Sequence, residues 1–167
     1  MLLGDFSRRV NSGVRPQEVV SQMRIDEIVE RAREAHQLHW AMTGIESEGD
    51  RRAARVTDTW QRDVVSRLGP ALVPEFPIGE GFGERIDLVE RQELVTYELK
   101  VSPNNTHFEF YRDIFKVIIA RDNALPGLDH FVFITPEIGA RKLQRGLAKA
   151  VIEHAASLRL HVEVRGI

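Results

Sequence analysis

The stretch "HFVFIT", His130 to Thr135, is apolar at nearly every position instead of alternating with polar residues. A strand of that kind has both of its faces covered, which calls for helices on both sides of a sheet. The class that follows is α/β. The rest of the chain supplies the helices. From Pro16, residues Ile25, Ile28, Val29, Ala32, Ala35 and His39 recur at helical spacing, and a second helix places Val56, Trp60, Val64 and Leu68 on one stripe before Gly69-Pro70 ends it.

Leu72 to Ile78 reads as a first strand whose prolines put it at an edge or bend, and glycines 79, 81 and 83 lead on from it. Arg85 to Lys100 reads as two strands folded around Arg91 to Glu93. Thr106 with Glu109 matches a capping box and opens a helix expected to carry Phe108, Tyr111, Phe115 and Ile118 on one side. Thr135-Pro136 starts one further helix with Leu143, Leu147, Val151 and His154 along a stripe. Leu158, Leu160, Val162 and Val164 then alternate with polar residues in a last strand. The expected architecture is a mixed β-sheet flanked by helices, with residues 1–46 as an N-terminal helical extension and 47–167 as the core.

Bulk properties narrow the function classes. At 167 residues the chain fits one domain. Its net charge of -2 excludes a general polyanion binder, so any nucleic-acid contact has to come from local basic clusters. The absence of cysteine excludes disulfides and zinc-thiolate sites. No apolar run approaches a membrane span, and MLLGDFSRRV lacks a signal-peptide core, which fits a cytoplasmic chain without a membrane partner.

Strand alternation between Arg85 and Val101 places Val95, Tyr97, Leu99 and Val101 on one face and Thr96, Glu98 and Lys100 on the other. Folding the stretch back brings Asp87 to Glu98, and like charges across an antiparallel pair are destabilising. A divalent cation between them turns the repulsion into a binding site, because magnesium takes hard carboxylate oxygens together with water and phosphate. Lys100 would then orient a water or stabilise charge on a phosphate. A solvated salt-bridge cluster is the competing reading of the same three residues.

Ile86-Asp87, ten intervening residues, and Glu98-Leu99-Lys100 resemble the PD-(D/E)XK nuclease superfamily, the restriction-endonuclease-like fold. The resemblance extends to the αβββαβ element order over Gly49 to Thr135, and departs from the family name at Ile86, which stands in the proline position. It implies a magnesium-dependent (or manganese-dependent) nuclease in which Asp87, Glu98 and the Leu99 carbonyl hold the metal and Lys100 serves the attacking water. It further suggests an acid from the first core helix, where Asp58 fits better than Glu48 or Asp63. Lys116 falls at an auxiliary polar position of the next helix. The implied partner is duplex or branched DNA, with the leading helix packing against a second copy in a homodimer. A catalytically inactive DNA- or protein-binding module of the same fold, or an unrelated interaction protein, are the rivals.

Asn104 and Asn105 can reach phosphate from their loop, although capping and turn formation also explain them. Arg141, Arg145 and Lys149 recur every four residues, as one face of the late helix would require, and Arg51, Arg55 and Arg62 form a second row. His36 and His39 stand three apart on a helix but have no third ligand nearby in sequence, which favours one partly buried histidine and one surface histidine. Trp40 and Trp60 are read as core or interface residues.

Overall fold

A computed structural model describes residues 16–40 and 49–167; Glu48, weighed above as an acid of the first core helix, lies outside them. The elements in chain order are α1 (Pro16–His39), α2 (Gly49–Leu68), β1 (Leu72–Pro77), β2 (Arg85–Glu90), β3 (Val95–Leu99), α3 (Thr106–Asn123), β4 (His130–Thr135), α4 (Glu137–Leu143), α5 (Gly146–Ser157) and β5 (His161–Gly166). The five strands form one mixed sheet in the order β1-β2-β3-β4-β5. β1, β2 and β3 pair antiparallel, whereas β3, β4 and β5 run parallel.

β4 is covered on both faces, as its composition demands. Val132 and Ile134 join the apolar cluster under α1 and α2, while Phe131 and Phe133 join the one under α3, α4 and α5. Val95, Tyr97, Leu99 and Val101 all belong to the first cluster, so the alternation read from the sequence holds through the end of β3. Trp60 is its largest fully buried side chain, and its indole N–H donates to the Ile28 carbonyl at 3.1 Å. Deleting such a side chain costs about 3–5 kcal/mol. Ile25, Ile28, Val29, Ala32 and Ala35 of α1 are buried in the same cluster. The apolar stripe of α1 is therefore spent within the chain, and a second copy would need another surface.

Three local expectations are corrected. The capping box at Thr106 does not form: Asn105 is the N-cap in a left-handed conformation, and the Thr106 hydroxyl donates to the Pro103 carbonyl at 2.9 Å. Glu109 is engaged instead by Arg112 at 2.6 Å. The apolar stripe of α3 is out of phase, since Phe108 and Phe115 are 68% and 66% exposed while Phe110, Ile114, Val117 and Ala120 are buried. α3 carries two apolar stripes, and periodicity alone does not say which faces the sheet. The buried one includes Asp113 and Lys116, which a hydrophobicity reading assigns to solvent.

The late helix is also two helices. Gly146 has a φ of 57°, a left-handed conformation that glycine adopts without strain, and the chain breaks there between α4 and α5. Arg141 consequently sits on α4, Arg145 caps α5 in extended conformation and Lys149 lies on α5, so they do not form one helical face. Arg141 pairs with Glu137 at 3.0 Å and Lys149 with Glu153 at 3.7 Å, which offsets much of the positive charge of that row.

Candidate active site

β2 and β3 register as Leu88↔Tyr97, Val89↔Thr96 and Glu90↔Val95, and continuing that register by one step sets Asp87 opposite Glu98. The backbone ladder gives way to a side-chain contact there: the Leu99 N–H donates to Asp87 Oδ2 at 2.8 Å. Gln61 of α2 fixes the other side of the same residue, its amide donating to the Asp87 carbonyl at 2.6 Å and to Glu75 at 3.0 Å. Asp87 is thus held from both neighbouring elements.

Glu98 points toward α3, where Lys116 meets it at 2.5 Å and Asp113 at 3.0 Å. The Lys116 ammonium also donates to the Arg85 carbonyl at 2.8 Å. Glu98, Asp113 and Lys116 are all buried. Glu98 Oε1 and Asp113 Oδ1 lie in ion pairs that leave both oxygens without a directed hydrogen bond. Arg112 approaches Asp113 only to 3.6 Å and is shared with Glu109. Two carboxylates, Glu98 and Asp113, thus share one buried ammonium, and Asp87 stands opposite Glu98 within reach of its charge.

The titration of these groups reflects that deficit. Burial pushes the Asp87 carboxyl up to about 6, against the opposing pull of the Leu99 N–H and the Lys116 charge. Burial, reinforced by the charges of Asp87 and Asp113, holds Glu98 well above the usual carboxylate range. Asp113 is raised by burial despite Lys116. Burial works against the Lys116 ammonium, but Glu98 and Asp113 together outweigh it and its pKa is raised. A site that holds carboxylates against their own protonation preference is suited to a cation.

Lys100 lies just past the end of β3 and does not pair with Glu98. Its ammonium is half-buried, 3.9 Å from Glu109, and it lines a cleft of about 730 Å³ together with Leu99, Arg52, Thr57, Asn104 and Asn105. The cleft opens between the N-terminal ends of α2 and α3, and Leu99, whose N–H holds Asp87, is part of its lining. Asn104 and Asn105 are thus part of this wall, although Asn105 also caps α3.

The remaining sequence candidates fall elsewhere. Asp58 lines a neighbouring groove with Gln61, Arg62 and Glu75, and the α2 side chain that reaches Asp87 is Gln61, one turn further on. Asp63 pairs with Arg67 at 2.8 Å. Arg62 donates to the Asp58 carbonyl at 3.2 Å. Arg51 and Arg55 are exposed on α2, and it is Arg52 between them that lines the cleft. His36 contacts the Val101 carbonyl at 3.1 Å and Trp40, while His39 contacts Thr59 at 3.0 Å, so the two histidines do not converge.

Two contributors stand outside the catalytic and metal sets expected from the sequence. Asp113 was visible only as the acid three residues before Lys116, a spacing that puts both on one helical face. Gln61 carried no signal, because an amide in a polar helix looks like any solvated residue. Compared with protein-family models, with curated proteins and with solved structures, the chain matches none.

Proposed function

We propose that the chain is a magnesium-dependent nuclease of the restriction-endonuclease-like fold that hydrolyses phosphodiester bonds in DNA. The observation that carries this reading is the clustering of Asp87, Glu98 and Asp113, the last two sharing a single ammonium, with Glu98 next in the chain to Leu99 and Lys100, which line a cleft with Arg52 and Asn104. The order α2–β1–β2–β3–α3–β4 and the Asp87/Glu98-Leu99-Lys100 spacing support it.

Magnesium (or manganese), when bound, supplies Lewis-acid polarisation of the phosphate and an ionised water. Asp87 and Glu98 offer the hard oxygens such an ion takes, with the Leu99 carbonyl as the further ligand implied by the resemblance. Lys116 screens Glu98 until then. Its contacts with Asp113 and the Arg85 carbonyl keep it anchored when Glu98 turns to a metal. Lys100, on the cleft wall, provides a mobile point charge for the attacking water or the phosphate oxygens. Asn104 and Asn105 offer neutral donors to the backbone of the nucleic acid.

The second reading is an inactive binding module of the same fold, favoured by the ammonium of Lys116 seated on Glu98 at 2.5 Å. Incubating the protein with plasmid, linear and branched DNA in magnesium, manganese, calcium or EDTA separates the two. Cleavage in magnesium or manganese that disappears with EDTA and in Glu98→Ala supports the nuclease. Binding without cleavage under every condition supports the module.

A further inference from the structure

We propose that His130, His161 and Glu163 form a second, independent metal site that takes a transition cation of the zinc type. It lies on the same sheet as the carboxylate cluster but at the other end of the parallel strands. His130 pairs with Val95 and His161, whereas Glu98 pairs with Phe133, which is about 10 Å further along the strand.

The arrangement follows from parallel registry. β4 and β5 align His130↔His161 and Val132↔Glu163, so the two imidazoles stand side by side on one face. Glu163 follows two residues after His161 on that same face. Thr96 donates to the His130 carbonyl at 3.3 Å, and the His161 N–H donates to the Asp129 carbonyl at 2.7 Å, which fixes the backbone beneath both rings. The three side chains offer one ligand atom each, all within 4.8 Å of one another.

His130 Nε2 and Glu163 Oε2 are already 3.3 Å apart. Bonds of about 2.0–2.1 Å to a tetrahedral zinc require ligand atoms roughly 3.3–3.4 Å apart. That edge of the tetrahedron is preformed. His161 is exposed, its ring centroid lies 4.7 Å from that of His130, and its ligand nitrogen, within 4.8 Å of the other two ligand atoms, would have to turn toward them to complete the set.

The outer partners are present too. Glu163 turns its other oxygen to Arg165 at 2.6 Å, and Arg165 is held in turn by Asp26 of α1 at 2.6 Å. Such partners orient a ligating carboxylate and leave one oxygen for the metal. Two imidazoles and one carboxylate suit zinc, cobalt or nickel, whereas magnesium prefers an all-oxygen set. The two ends of the sheet would therefore sort cations by ligand chemistry. Three protein ligands leave a coordination position open to water or an exogenous ligand.

Cobalt(II) titration of the chelator-stripped full chain, read by its visible d–d absorption in excess magnesium, tests the site, with zinc displacing the cobalt to give stoichiometry. The expected result is one equivalent bound, with affinity lowered at least tenfold in His161→Ala and in His130→Ala and unchanged in Glu98→Gln. Arg165→Ala should weaken binding by roughly 10–100-fold as an outer partner does. His161 is exposed, so His161→Ala retains the fold, which a thermal melt without metal verifies. No cobalt or zinc binding by the wild type, unaltered affinity in His161→Ala, or loss of binding in Glu98→Gln would each overturn the proposal.

Discussion

Glu98 and Glu163 are glutamates on one sheet, with opposite electrostatics. Glu163 faces two donors, His130 at 3.3 Å and Arg165 at 2.6 Å, and the hydrogen bond from His130 leads in drawing its carboxyl down to about 2. Glu98 shares one ammonium with Asp113, lies beside Asp87, and is held far above its ordinary value, first by burial and then by those acids. The first is a carboxylate whose charge is already compensated. The second belongs to a group with more negative charge than its surroundings neutralise. Glu163 therefore keeps its charge in the fold as it stands, whereas added positive charge beside Glu98 would relieve its group.

The largest effect on stability is expected at the cation both acids share. Lys116→Met leaves Glu98 and Asp113 buried without their ammonium, which should cost about 3–5 kcal/mol at pH 7. Urea unfolding measures it. Much of the loss should return at pH 5, as the acids protonate, or on adding manganese. A loss below about 1 kcal/mol would mean the acids are already neutral in the wild type and erase the contrast with Glu163.

Linkage to pH sharpens the comparison, because the two ends of the sheet have opposite signs. The Asp87 carboxyl titrates near 6 in the fold, above its value of about 3.9 in an unfolded chain. Its contribution is fully present below pH ~4 and is lost as pH rises through about 6, a change of about 3 kcal/mol. In EDTA, Asp87→Asn should flatten the stability profile over that window. Glu163 behaves the other way: its folded value of about 2 gives stability present above pH ~4.3 and lost as pH falls through about 2. Glu163→Gln should therefore destabilise at pH 7 by about 2 kcal/mol and by less below pH 3. Equal slopes in the two variants would remove the distinction.

The smallest stability effect is expected at Lys100. Its 3.9 Å approach to Glu109 is a weak, half-exposed pair, so Lys100→Ala should change stability by less than about 1 kcal/mol. DNA cleavage should nonetheless fall at least about a hundredfold, with metal-induced stabilisation retained. Near-normal cleavage would remove Lys100 from the reaction.

What could be read from the sequence divides along physical lines. Strand alternation and the β4 composition correctly assigned both faces of the sheet, because a period of two leaves no phase ambiguity once one face is buried. The α3 phase was not legible, since Phe108/Phe115 and Phe110/Ile114 are equally apolar and only tertiary packing selects between them. The break at Gly146 was hidden inside a regular apolar spacing running from Leu143 to Val151. Asp87 and Glu98 came together as pairing predicts, but the ammonium on Glu98 is that of Lys116 from α3 rather than of Lys100, two residues on in the chain. Long-range contacts of that kind leave no local signature. The His130–His161 alignment was likewise invisible, because it needs the register between two strands thirty-one positions apart.

The central claim is that the Asp87–Glu98–Asp113 cluster binds a divalent cation and uses it on a phosphodiester. Its most direct test is the magnesium and manganese dependence of thermal stability and plasmid cleavage, measured side by side for the wild type and Glu98→Gln. The wild type should gain melting temperature with metal and cleave, with both responses saturating over the same concentration range. Glu98→Gln should lose both while melting, in EDTA, no lower than the wild type, because removing one of three converging acids relieves repulsion. A wild type that neither gains stability nor cleaves in either metal, together with a Glu98→Gln variant that melts markedly lower in EDTA, would contradict the claim and leave Lys116–Glu98 as a structural ion pair.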